Sequence, residues 1–232
     1  MSFHPAIGGA FHLRALAYRL PSTIYHVAAI LIATAAANLA MAEEADEHEA
    51  LIRYCTRAIE RDPGDAWAYY ARGQAHAKKK QYDQAIRDFN EAIRLNPNDT
   101  DARFYRGNTW YLKGDVRKAL GEYDDLLGVD SKHVGAYNAR AWNWATSPDA
   151  GFRDGRKAVE SAIRACELTN WKLPGYIDTL AAAYAEAGDF ESAVKWQEQA
   201  RDMVAKHARE SFSERLELYR SRTPYRDVQR DR

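Results

Sequence analysis

Three arginines recur at a fixed interval. Arg72, Arg106 and Arg140 stand 34 residues apart, and the first two are each followed by a glycine. A guanidinium stays charged at any accessible pH, so among small and aromatic neighbours it must find an acceptor or reach water. Asp88 and Glu122 lie 16 residues beyond Arg72 and Arg106, which predicts the structural pairs Arg72–Asp88 and Arg106–Glu122. Ser161 holds the corresponding place for Arg140. A row of cations binding an anion is the competing use of such a pattern.

Other chemistry has few candidates. There is no glycine-rich phosphate loop of the right spacing and no nucleophile elbow. The seven histidines are scattered. Glu44 and His48 stand at i, i+4 and could share a metal ion, but a fraying acidic N-terminus explains them as well. Lys78, Lys79 and Lys80 read as a solvated turn near a helix C-terminus, where cations suit the dipole. No catalytic residue, cofactor or metal site is expected. Basic and acidic residues both number 33, so no bulk field would draw nucleic acid.

The first 42 residues differ from the rest. They carry Arg14 and Arg19, no acid, and an uncharged stretch over residues 20–42 that closes on Ala40, Met41 and Ala42. That order is the pattern of a secretory signal peptide cleaved after Ala42. An uncleaved inner-membrane anchor over residues 20–42 is the alternative. Removal of the segment leaves a net charge near −2 and places the mature chain in the periplasm or outside the cell. Cys55 and Cys166 fall among small or apolar neighbours at helical spacing and read as buried free thiols.

The elements that would position these residues repeat with the same period. At an offset of 34, Tyr70 aligns with Phe104, Gly73 with Gly107, and His76 with Trp110. Ala85 aligns with Ala119, Phe89 with Tyr123, and Leu95 with Val129. Small residues facing aromatics at this period mark stacked helix hairpins, in which each hairpin buries its faces against its neighbours. Pro97 ends one such unit. Beyond the repeats, Ser211-x-x-Glu214 offers a capping box for a final helix. Phe212, Leu216 and Tyr219 would form its apolar stripe, Pro224 would end it, and the tail after it reads as solvated.

Tyr69, Gly73, Ala85, Phe89, Ala92 and Pro97 lie on the signature positions of the tetratricopeptide repeat, which residues 67–99 resemble. Arg72 replaces the family's usual leucine, and Ser131 stands where the next unit would carry proline. The block from Ala141 to Ala200 resembles the end of many bacterial arrays of this family. The resemblance implies an all-α fold, a right-handed α-solenoid of stacked helix-turn-helix hairpins with a C-terminal capping helix.

The chain divides accordingly. A leader over residues 1–42 precedes an N-terminal half-repeat helix over 43–65, then units over 66–99 and 100–133. A unit with an inserted loop follows over 134–170, then a unit over 171–208, with its second helix running to about His207. A capping helix and basic tail occupy 209–232. Cys55 and Cys166 would lie about three hairpins apart, at roughly 10 Å per hairpin, too far for a disulfide.

In this family the first helix of each hairpin lines a concave face. Carried onto this sequence, that face holds Trp67, Tyr70, Gln74, Phe104, Asn108, Tyr111, Asn138 and Trp142. Rings and amides together suit an extended peptide. Tyr70 and Phe104 could equally pack between helices. Trp142 is the stronger groove candidate, because Trp144 takes the core position two residues on. These positions lack Lys or Arg, so no clamp for acidic C-termini is expected. The implied function is a non-enzymatic protein–protein interaction module or assembly scaffold of the bacterial cell envelope. Its partner would be a protein or peptide, with no nucleic acid and, once the leader is removed, no membrane. A cell-envelope carbohydrate- or peptidoglycan-binding accessory protein is the alternative.

Overall fold

The computed structural model describes residues 47–228. The proposed leader, Glu44 and residues 229–232 lie outside the described residues. Two compact units divide the chain, Met1–Leu51 and Ile52–Arg232; of the first, only residues 47–51 are described, and they are helical. The second unit holds the stacked helices.

Its helices follow in chain order. Helix α1 covers residues 47–61, with the unit boundary falling inside it. Then come α2 (Ala66–Lys78), α3 (Tyr82–Leu95), α4 (Thr100–Leu112), α5 (Val116–Val129) and α6 (Val134–Thr146). The inserted loop contains a short 3-10 turn, Ala150–Phe152. After it come α7 (Gly155–Leu168), α8 (Pro174–Glu186), α9 (Phe190–Met203) and α10 (Glu210–Arg220). No strand occurs among the described residues.

Caps keep the period as faithfully as the core does. Asp65, Asp99 and His133, 34 residues apart, each accept the backbone N–H three residues on and so begin α2, α4 and α6. Asp115, Asp154 and Asp189 begin α5, α7 and α9 in the same way. Each of these bonds satisfies one of the donors a helix start leaves open.

The hairpins α2–α3, α4–α5, α6–α7 and α8–α9 stack in sequence, each helix against the next, and α10 closes the stack on α9. Inside a hairpin the contact is a ring on a glycine. A methyl group added at Gly73 would lie 2.9 Å from the Phe89 ring, and one at Gly107 would lie 2.8 Å from Tyr123. No Cβ fits there, so the period demands glycine at these two positions. Cys55 and Cys166 are free and fully buried.

The arginine row is structural. Arg72 makes a two-pronged contact with Asp88, at 2.9 and 2.7 Å, and Arg106 meets Glu122 at 2.7 Å. Each also reaches the preceding hairpin, Arg72 to Thr56 and Arg106 to Asn90.

Three expectations at the C-terminal end are corrected. Helix α9 stops at Met203, and residues 206–208 form a separate 3-10 turn. The Ser211–Glu214 capping box does not form. Helix α10 already includes Glu210, and its start lacks a side-chain cap. Residues 225–227 of the tail are not solvated, because Tyr225, Arg226 and Asp227 fold back onto the array. The apolar stripe is present: Leu216 and Tyr219 are buried and Phe212 packs on the core. A buried bridge secures this cap, since Asp178 on α8 accepts from Gln197 on α9 at 2.7 Å and from Arg215 on α10 at 2.8 Å. Burial pushes the Asp178 carboxyl above its ordinary value, against the pull of Arg215.

Candidate peptide-binding groove

Helices α4, α6 and α8 are the first members of three consecutive hairpins, and residues 225–227 bond to all three. Helix α6 ends at Thr146, so its last carbonyls lack intrahelical partners. The Asp227 N–H donates to Thr146 O at 2.9 Å, and the Arg226 guanidinium donates to Ala145 O at 3.3 Å. A cation at that end also suits the helix dipole.

Side chains complete the seat. The Asp227 carboxylate accepts from Trp142 Nε1 at 2.8 Å and from the Tyr111 hydroxyl. Two neutral donors thus hold a carboxylate at positions where the sequence offers no Lys or Arg. Arg226 pairs with Glu186 at 2.7 Å, and the same carboxylate holds Arg153 of the inserted loop at 3.1 Å. Tyr225 places its ring 5.7 Å from Trp142. The Arg215 guanidinium lies over both rings, 5.5 and 6.0 Å from their centroids. The result is a short sequence of subsites: aromatic, cation, then carboxylate with a backbone bond.

The eight residues expected on this face fall into different situations. Tyr111 and Trp142 touch the tail. Trp67 is 59% exposed. Gln74 donates to the Tyr70 hydroxyl at 2.7 Å, and Tyr70 leans on Tyr105 and Phe89. Burial pushes the Tyr70 phenol above its ordinary value. Phe104 packs between hairpins, against Tyr123, His133 and Gly135.

The side-chain oxygen of half-buried Asn108 accepts from the buried Tyr123 hydroxyl at 2.7 Å, which ties that oxygen to the core. The buried side-chain oxygen of Asn138 has no hydrogen-bond partner among the described residues. Sequence reasoning missed Glu186, Arg215, the open carbonyls of α6 and the tail itself. The one available signal was Pro224, which holds Thr223 away from helical backbone just before an aromatic and two charged residues.

Among the described residues, no group of three or more His, Cys, Asp or Glu could hold a metal ion. None of the described helices is long and apolar enough to cross a membrane.

A stack of helix hairpins, each packed on the next, defines a helical-repeat protein. Residues 66–99 match the family model described as "Tetratricopeptide repeat", and the chain has the stacked-hairpin fold of tetratricopeptide repeat proteins. No curated protein matches the chain. Among solved structures it is similar to YrrB, described as a TPR protein with an unusual peptide-binding site. The two share 19% identity and a TM-score of 0.57, over 78% of this chain and 89% of that one. TTC0263, described as a thermophilic TPR protein in Thermus thermophilus, shows 18% identity and a TM-score of 0.57, over 75% and 90%. MamA from Desulfovibrio magneticus RS-1 shows 17% identity and a TM-score of 0.55, over 69% and 94%.

Proposed function

We propose that this protein is a non-enzymatic scaffold that holds an extended peptide segment of a partner across α4, α6 and α8. The observation that carries this reading is the seat of residues 225–227, where a non-helical segment, turned at Asp227 by the Val228 N–H bonding Arg226 O, already bonds to all three helices through backbone and side chains. The buried, unpartnered oxygen of Asn138 on α6 adds an acceptor of the kind a ligand N–H would satisfy. Trp67 at the far end of the array adds exposed aromatic area for a longer segment.

The leader pattern supports export to the cell envelope, with the mature chain starting at Glu43. Fractionation with N-terminal sequencing checks this. Full-length chain in the membrane pellet would favour the anchor.

A peptide array probed with the purified full chain tests the groove. Bound peptides should be lost in Trp142→Ala and retained in Arg164→Ala, which alters an exposed residue of α7. Binding that survives Trp142→Ala, or cosedimentation with purified peptidoglycan in place of any peptide binding, would overturn the reading.

A further inference from the structure

We infer that the groove recognises a partner segment carrying an aromatic, a cation and a carboxylate in succession. Tyr225, Arg226 and Asp227 occupy it as an internal stand-in that such a partner displaces. The inference rests on the groove reading above and names the chemistry of its occupant.

Every subsite takes a group that a second peptide could supply. The ring lies against Trp142 and under Arg215, the cation meets Glu186 and Ala145 O, and the carboxylate meets Trp142 Nε1 and the Tyr111 hydroxyl. The backbone N–H meets Thr146 O. None of these contacts needs the covalent link to α10.

The link is a bonded helix end, with the Arg222 N–H donating to Tyr219 O and the Thr223 N–H to Leu218 O. Ser221, Arg222 and Thr223 are exposed, and Arg222 sits at φ +58°, a costly conformation for a residue with a side chain. Val228, just beyond the seat, is 58% exposed. The tail also covers only one end of the helix face. Trp67, Tyr70 and Gln74 lie on α2, outside the three helices the tail bonds to, and a longer partner could add that surface. A tethered segment acts at an effective concentration in the millimolar range, so a competitor wins only through extra contacts. A partner matching the three subsites and reaching α2 meets that condition.

The test is fluorescence anisotropy of a labelled synthetic peptide with the sequence of residues 221–228, titrated with full-length protein. A Tyr225→Ala/Arg226→Ala/Asp227→Ala chain, with its own tail released, should bind the peptide about tenfold more tightly than wild type, or better. Asp227→Asn, which keeps the tail's shape, should give a smaller gain. Adding Trp142→Ala to the triple variant should abolish binding, and an Asp-to-Asn change in the peptide should weaken it. Equal affinity for wild type and triple variant would overturn the inference, as would binding indifferent to Trp142. If array peptides of other sequence bind through Trp142 while this peptide does not, the groove stands and the stand-in falls. If no peptide of any kind binds, both fall.

Discussion

Arg140 on α6 meets Asp124 on α5 at 2.7 Å, sixteen residues back along the chain. Its contact within its own hairpin is a 3.2 Å bond to Ser161. Arg72 and Arg106 repeat this geometry, reaching back sixteen residues to Thr56 and Asn90 and forward to Asp88 and Glu122. Each arginine therefore ties three successive helices together. A leucine at these positions could fill the gap but could not link the hairpins by hydrogen bonds.

The two ends of this ladder differ in burial, and their substitutions should differ accordingly. Asp88 is nearly inaccessible and holds Arg72 with both oxygens, whereas the Asp124 side chain is 54% exposed. Asp88→Ala leaves a largely buried guanidinium short of acceptors and should cost about 2–3 kcal/mol. Asp124→Ala should cost less than about 1 kcal/mol. Urea denaturation of both variants checks the contrast, and equal losses would contradict it.

Asn108 should behave as a core residue. Asn108→Ala strands the hydroxyl of Tyr123, a side chain 1% exposed, at a cost of about 1–3 kcal/mol. Tyr123→Phe in the same background removes the stranded group and should recover part of that loss. A melting temperature unchanged by Asn108→Ala would return the residue to the groove.

Both thiols should resist alkylation in the folded protein. Burial pushes the Cys166 thiol up to about 12 and raises Cys55 as well, so at pH 8 little reactive thiolate forms at either site. Mass spectrometry after iodoacetamide treatment should find near-zero labelling in buffer and two adducts in denaturant. A disulfide-linked form that shifts on a gel upon reduction would contradict the stack.

The Asp154 cap carries a pH signature. Its bond from the Lys157 N–H, assisted by the Lys157 side chain, holds the carboxyl below its ordinary value. A carboxyl depressed by folding contributes stability above its unfolded value, near 3.9, and loses it as pH falls through the folded one. Asp154→Ala should therefore cost about 1 kcal/mol at pH 7, with the gap to wild type closing below about pH 4. A gap constant with pH would show that the charge plays no part in the cap.

The hairpin stack was legible from residues alone because its causes are local and repeat. Glycine facing a ring, aspartate before a helix and arginine sixteen residues before an acid are short-range requirements, and a period of 34 displays each of them more than once. The Arg72–Asp88 and Arg106–Glu122 pairs follow from that register, and both form.

The backward half of each arginine link depends instead on how one hairpin settles against the one before it. The bond from the Tyr123 hydroxyl to Asn108 was not legible either, since it depends on how α4 and α5 settle against each other. The tail was least legible. Its seat exists only after three helices, far apart in sequence, present Tyr111, Trp142, Glu186 and two open carbonyls together. A non-helical segment has no periodicity to announce such a docking site. Its position follows from which helix ends and side chains the packed array leaves unsatisfied.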